Sequence, residues 1–195
     1  MTAVAAAEIT DAGWLGAQLD AAAARYRLDR RQTLGVIWWY STSSVLLGVA
    51  AGGMDPALDR VTLYLKPDGL VLDARSAGAL PDTGKLGRRL ADALAASISS
   101  VATESGAPQR ALWAIATDSL ANRVLWAGGG PGDARRLAAA VGAALPVPRF
   151  DSVHDRPVVR RASCCLIYHV SGIEKCASCP RQTPEERLRR LSAEG

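Results

Sequence analysis

The stretch ASCCLIYHVSGIEKCASCPR, residues 162–181, contains all four cysteines of the 195-residue chain. Cys164 and Cys165 are adjacent, ten residues separate Cys165 from Cys176, and two residues separate Cys176 from Cys179. In a chain expected to stay in the reducing cytosol, four clustered cysteines favour metal or redox chemistry over structural disulfides. The pattern C-C-x10-C-x2-C therefore predicts a metal centre, and the residues before it are expected to position something for that centre to reduce.

A [2Fe-2S] cluster accounts for the number of cysteines. Each of its two irons completes a tetrahedral shell with two thiolates, so the protein must supply four sulfurs. A tight turn in the C-x2-C half is expected to bring both of its sulfurs onto one iron. Adjacent side chains of a regular strand point to opposite faces, so the backbone is expected to turn at the adjacent pair. The predicted cofactor-binding and metal-ligating residues are Cys164, Cys165, Cys176 and Cys179.

Other centres that use cysteine fit the spacing less well. A structural zinc site also takes four thiolates, but it usually has a C-x2-4-C pair at each end, and the adjacent pair departs from that spacing; zinc stays the alternative. A thioredoxin-like pair or a haem attachment site is disfavoured by Pro180, which follows the last cysteine. A Rieske centre uses two histidines, whereas four cysteines already fill the shell here. His154 and His169 are therefore expected to be structural or to lie around the ligands.

The same pattern, preceded by Arg160-Arg161-Ala162-Ser163 and followed by Pro180, resembles the C-terminal iron–sulfur segment of the FhuF-like ferric siderophore reductases. The resemblance implies cytoplasmic, one-electron reduction of Fe(III) in an imported siderophore, which releases Fe(II). It covers about the last forty residues of the chain. An electron-transfer or iron-sensing protein that carries the same cluster is the alternative.

No motif for a flavin or nicotinamide accompanies this segment. The glycine loop at 128–133 has Asp133 where a G-x-G-x-x-G fingerprint needs glycine. Electrons are therefore expected from a separate ferredoxin or NAD(P)H-dependent reductase. The basic residues near the cysteines could stabilise the reduced cluster, dock an acidic donor or form an ordinary solvated surface. They are Arg160, Arg161, Lys175 and Arg181.

Hydrophobic periodicity predicts an α+β fold that is mostly helical, with one small antiparallel sheet. VTLYLKPDGLVLDA, residues 61–74, reads as a β-hairpin that turns at 66–69. Helices are expected from Thr10-Asp11 through residue 28, over 31–49, over 83–103, over 111–128 and, with Asp133 as its cap, over 135–145. Residues 147–161 are expected to be irregular. The expected division is a body of residues 1–150 and a cluster-binding segment of residues 151–195.

Composition and charge limit the partners. Apolar residues make up 49% and charged residues 22% of the chain, as in globular proteins. The net charge is +4, but the basic residues are interleaved with acids, so no nucleic-acid partner is expected. The first residues lack a basic region typical of secretory signals, which favours the cytoplasm.

Residues 32–54 carry no charge, but hydroxyl residues at 41–44 and aromatic residues at 38–40 occupy the middle of this segment. This order is inverted for a membrane span, so the segment is expected to be a buried core helix. Peripheral contact with the inner membrane is the alternative. Core packing is also expected for the five tryptophans.

Overall fold

Six helices and two small antiparallel sheets make up the computed structural model, which describes residues 1–193. The fold class is the predicted α+β one. The helices are α1 (Ala12–Tyr26), α2 (Arg31–Ala51), α3 (Thr83–Ser105), α4 (Gln109–Trp126), α5 (Pro131–Val141) and α6 (Pro184–Ala193). The strands are β1 (Thr2–Ala5), β2 (Val61–Leu65), β3 (Val71–Ser76), β4 (Phe150–Val153) and β5 (Arg156–Val159).

Helix α2, which is uncharged after its first residue, Arg31, lies at the centre of the core and packs against α1, α3, α4 and β3. The indole N–H of Trp39, which is fully buried, donates to the carbonyl of Leu112 in α4 at 2.9 Å. This bond satisfies the one polar atom of a large apolar side chain. By length and composition α2 could cross a membrane, with a mean hydropathy of 1.4, yet 67% of that window is buried inside the fold. The prediction of a buried core helix is confirmed.

One face of α2 is not covered. Tyr40, Ser44 and Gly48 follow one another at four-residue spacing and are exposed or half-buried, whereas most of the helix is buried. Residues four apart lie on the same face of a helix. This stripe borders both the cysteine segment and a surface cavity.

The predicted hairpin of β2 and β3 forms, and β1 adds a third antiparallel strand with the order β1-β2-β3. The sequence analysis did not anticipate β1. Buried residues of β2 alternate along the strand and face the helices, as expected for a sheet with one covered face. Strand β3 is at the edge of this sheet and lies beside α2.

Two local predictions are wrong. Residues 147–161 are not irregular, because β4 and β5 form a second hairpin there. Its turn residues, His154 and Asp155, both have positive φ, as a two-residue hairpin turn of type I′ requires. Asp133 is not the N-cap of α5 either: Gly130 holds that position, and the Asp133 carboxylate accepts its N–H at 2.7 Å.

The C-terminal segment is tied to the body by β5, which contacts α4, and α6 contacts β4 in turn. Arg187 of α6 is buried and pairs with Asp151 of β4 at 3.3 Å. The division at residue 150 stays a prediction.

Candidate iron–sulfur site

The four cysteine sulfurs meet on one side of the segment that follows β5. All four are free thiols. The sulfurs of Cys164 and Cys179 are 3.7 Å apart, and Nη1 of Arg161 lies 3.8 Å from the sulfur of Cys165 and 3.4 Å from that of Cys176. One sulfur–sulfur contact and one shared guanidinium nitrogen therefore link the cysteines as 164 with 179 and 165 with 176.

This pairing bears on how a metal would be held. Two thiolates on one tetrahedral metal lie about 3.8 Å apart when each metal–sulfur bond is about 2.3 Å, close to the separation of Cys164 and Cys179. Within residues 1–193, no group of three or more histidine, cysteine, aspartate or glutamate side chains is placed to hold a single metal ion. A cluster with two irons needs two pairs of thiolates, and Cys164 with Cys179 has the separation of one such pair.

The backbone turns where the adjacent pair requires it. Leu166 has φ of 61°, in the left-handed region, and its N–H points at the sulfur of Cys164 at 3.4 Å. A leucine in this conformation costs about 1 kcal/mol or more, and contact of its side chain with the hydrophobic core offsets that cost. The turn predicted at the adjacent pair is therefore present, one residue beyond it.

Gln182 holds the C-x2-C loop. Its amide group donates to the carbonyls of Cys176 and Ala177, both at 3.0 Å, and its oxygen accepts from Arg190 of α6 at 3.0 Å. The loop itself closes with a bond from the N–H of Cys179 to the carbonyl of Cys176 at 3.0 Å. These bonds fix the loop to α6. Sequence analysis missed both Gln182 and α6.

Arg161 is the basic residue that reaches the sulfurs. It is only 4% exposed, and one guanidinium nitrogen, Nη1, lies 3.4 Å from the sulfur of Cys176 and 3.8 Å from that of Cys165. The guanidinium also stacks over the ring of Tyr40 at 4.7 Å. Its Nε and Nη2 have no hydrogen-bond partner in the described part of the chain.

A buried guanidinium with two orphaned nitrogens is costly, and its ion-pair partner, Asp118 at 3.7 Å, is too distant to hydrogen-bond with it. A cluster held by four thiolates is anionic, so the donor set and the cation match each other. This match, together with the 3.7 Å separation of the Cys164 and Cys179 sulfurs, shows that the residues present fit a [2Fe-2S] group. Cys164, Cys165, Cys176 and Cys179 would hold it.

Asp118 of α4 anchors the backbone that leads into the cysteine segment. Its carboxylate accepts the backbone N–H groups of Ala162, at 3.0 Å, and of Ser163, at 3.2 Å. It also pairs with Nε of Arg161 at 3.7 Å, which is an ion pair but too long for a hydrogen bond. Burial raises the pKa of Asp118 to about 6, against the lowering effect of Ala162 and Arg161. The anchor thus joins the start of the cysteine segment to the core.

The same groups bias the protonation of the sulfurs. Hydrogen bonds from Cys164 and Cys176 lower the pKa of the Cys165 thiol, and the charge of Arg161 lowers it further. The hydrogen bond to Cys165 and burial raise the pKa of Cys164. Burial opposes the charge of Arg161, but Cys165, Tyr40 and Asp118 together hold its pKa above the ordinary value. The positive charge of Arg161 thus favours the thiolate form of the two sulfurs that it contacts, Cys165 and Cys176.

The other predicted basic residues lie outside this network. Arg160, Lys175 and Arg181 are exposed, and the last two flank the ring of Tyr168 at 6.0 and 5.8 Å. They therefore belong to the surface around the cysteine loop.

The histidines and tryptophans are also placed by the structure. His154 is exposed in the second hairpin and His169 stacks against Tyr168, with ring centroids 4.4 Å apart. Core packing is confirmed for Trp38 and Trp39 and wrong for Trp126, which is 68% exposed.

Comparison with known families gives a match to the FhuF 2Fe-2S C-terminal domain over residues 161–181. The matched segment begins at the buried arginine and ends just after the last cysteine, so it contains all four sulfurs. No curated protein matches the chain. The resemblance seen in the cysteine spacing is confirmed, and the cofactor is a [2Fe-2S] cluster. The assignment of the four ligands stays a prediction.

Proposed function

We propose that this FhuF-like iron–sulfur protein is a ferric siderophore reductase that delivers one electron to Fe(III) in an imported chelate and thereby releases Fe(II). The cluster supplies that single electron when it is bound. Hard oxygen ligands bind Fe(III) more tightly than Fe(II), so the added electron weakens the chelate and allows the metal to leave. The freed ligand oxygens then take up protons from water.

The observation that carries this proposal is the contact of the buried Arg161 with two sulfurs. A fixed positive charge at 3.4 Å favours the form of the centre that holds the extra electron. Asp118 keeps the guanidinium in place, and Tyr40 covers its face. A sulfur centre with a cation fixed against it suits electron storage and transfer better than a purely structural staple.

Access supports the proposal as well. Cys164 and Cys176 are half-buried, whereas Cys165 and Cys179 are buried, so one side of the centre is open to a reaction partner. The exposed Lys175 and Arg181 beside it offer a positive surface for an acidic electron donor, such as a ferredoxin, or for an NAD(P)H-dependent reductase. We place the reaction in the cytoplasm, where both a reduced donor and an imported chelate are available.

The test uses purified protein with its cluster, reduced with dithionite under nitrogen and freed of excess reductant. Ferric siderophores are added, cluster reoxidation is followed by visible absorbance, and released Fe(II) is captured by a coloured ferrous chelator. Reoxidation and Fe(II) capture at a ratio of one to one are expected. A Cys176→Ala variant, which is expected to lose the cluster, controls for direct reduction by residual dithionite. A cluster that stays reduced with every chelate contradicts the proposal and leaves electron transfer or iron sensing as the function.

A further inference from the structure

A cavity of about 390 Å³ lies on the exposed face of α2, between the edge strand β3 and helix α4. Its apolar lining includes Val45, Met54 and Leu72, and its polar lining consists of Asp73, Arg75, Ser76 and Arg123. This volume is within the range of small-molecule sites, which are mostly apolar with a few placed polar groups.

Of the two arginines that line this cavity, Arg75 is paired with Asp73 at 3.0 Å, whereas Arg123 makes no ion pair in the described residues. It is half-buried, and no carboxylate in residues 1–193 lies within ion-pair distance of it. Its only side-chain hydrogen bond there goes from Nε to the hydroxyl of Ser44 at 3.3 Å. Burial lowers the pKa of Arg123, which the charge of Asp73 opposes only in part. A partly desolvated guanidinium of this kind favours an anionic ligand, because its planar fork matches pairs of anionic oxygens.

Trp126 does not line the cavity itself but presents an exposed aromatic surface beside Arg123, which does. Its ring is 68% exposed and lies under the guanidinium of Arg123 at 5.1 Å. Leu72 of the edge strand is 44% exposed. An exposed tryptophan beside a cation suits a ligand that combines planar or apolar groups with anionic oxygens.

A short path of contacts joins the cavity to the cysteine sulfurs. Ser44, the partner of Arg123, lies one helical turn from Tyr40 on the open stripe of α2. Tyr40 stacks on Arg161, which contacts the sulfur of Cys176. From Tyr40 to Gly48, which lines the cavity, the helix rises about 12 Å. The cavity and the cysteine site therefore share one face of α2.

We propose that this cavity, with Arg123 and Trp126 as its binding residues, holds an anionic ferric chelate beside the cluster. The inference rests on the proposed function and names the substrate class: chelates whose coordinating oxygens leave a net negative charge, such as tris-catecholate complexes, bind better than neutral tris-hydroxamate complexes. Arg123 contacts the anionic oxygens, and Trp126 packs against the organic part of the ligand.

Gallium(III) chelates separate binding from reduction, because Ga(III) has nearly the size and charge of Fe(III) and is not reduced. Titration calorimetry of the cluster-loaded protein with an anionic Ga(III) tris-catecholate and a neutral Ga(III) tris-hydroxamate is the experiment. The anionic chelate is expected to bind more tightly. Arg123→Gln should weaken its binding about tenfold or more, since a charge-assisted hydrogen bond is lost, and should leave the neutral chelate nearly unchanged.

The matched control is Arg135→Gln, which removes another arginine stacked on an aromatic ring, Phe150 at 5.2 Å, on helix α5. It should not change either affinity. Leu72→Asp is a second variant that leaves Arg123 in place and adds an anion to an exposed position of the cavity. It should weaken the anionic chelate selectively, even if Arg123→Gln proves too unstable to purify.

The outcomes distinguish this inference from the proposed function. Binding of the anionic Ga(III) chelate that depends on Arg123, without reduction of the ferric form, upholds the cavity and refutes the reductase. Reduction of ferric chelates at rates unaffected by Arg123→Gln, Leu72→Asp and Trp126→Ala upholds the reductase and refutes the cavity. No preference for the anionic chelate, or no binding of either chelate, also refutes the cavity.

Discussion

Replacing Arg161 with glutamine should lower the reduction potential of the cluster. The variant removes a buried cation whose Nη1 lies 3.4 Å from the sulfur of Cys176 and 3.8 Å from that of Cys165. Glutamine keeps a polar group of moderate size but carries no charge. The positive charge stabilises the reduced, more negative form, so its loss makes the added electron less favourable.

The magnitude follows from the distance. A unit charge about 4 Å away contributes about 4 kcal/mol at an effective dielectric constant of about 20. For one electron, about 1.4 kcal/mol corresponds to about 59 mV, so the upper limit of the shift is about 170 mV. Asp118 reduces this figure, because its carboxylate opposes part of the field of Arg161 and holds a proton more readily once the cation is gone. We expect a fall of about 50 to 170 mV.

Redox titration followed by visible absorbance or electron paramagnetic resonance measures the potential directly. Arg160→Gln is the matched control, because Arg160 is the neighbouring arginine and is exposed, where water screens its charge. It should shift the potential by less than about 20 mV. Equal reduction potentials for wild type and Arg161→Gln, with the cluster fully loaded, would show that the contact does not tune the potential of the cluster. A shift of the same size in Arg160→Gln would mean that general surface charge is responsible.

Three further predictions concern the ligands, the anchor and the core. Cys176→Ala should abolish stable cluster binding, and a variant with a full complement of iron and sulfide would show that the ligand set is misassigned. Burial raises the folded-state pKa of Asp118 to about 6. The neutral carboxyl therefore adds about 3 kcal/mol to the free energy of unfolding below pH about 4, and this contribution is lost as the pH rises to about 6. The free energy of unfolding, measured with urea at several pH values, should fall over this range for wild type relative to Asp118→Asn. Parallel plots of that free energy against pH for the two proteins would refute the prediction. Gly87→Ala should destabilise the fold by about 1 to 3 kcal/mol, because the new methyl would overlap the backbone of Ala140 where α3 crosses α5. Gly84→Ala is the control, because the nearest atom to its new methyl would be 3.5 Å away. It should unfold at the same urea concentration as wild type or at a higher one.

The parts of the fold that the sequence predicts are those with strong local signals. The uncharged run of α2 and the Lys66–Gly69 turn are read directly, because burial and turn chemistry act over a few residues. The β4–β5 hairpin carries a weaker signal. Pro157 in β5 argues against a central strand, although an isolated two-stranded hairpin has only edge strands and tolerates it.

The cysteine pattern is also a signal contained in a short stretch of sequence, but the residues that support the site are distant in sequence. Asp118 is 43 residues before Arg161, and one acid in a helix gives no indication that it will accept the N–H groups of Ala162 and Ser163. The sequence left Arg160 and Arg161 equivalent. Only the packing of the segment against α2 and α4 buries one and exposes the other, which decides which of them can act on the cluster.

The two buried or half-buried arginines on the open side of α2 have opposite consequences for an electron. Arg161 contacts the sulfurs directly and favours the electron on the cluster, which makes the centre easier to reduce and a weaker donor. Arg123 has no carboxylate partner, so in the proposal it attracts an anionic chelate to the same helix face. The negative charge of such a chelate would oppose the field of Arg161 and would disfavour the electron on the cluster. If the proposal holds, a bound chelate would therefore promote release of the electron when an acceptor is in place, whereas Arg161 would retain the electron without it.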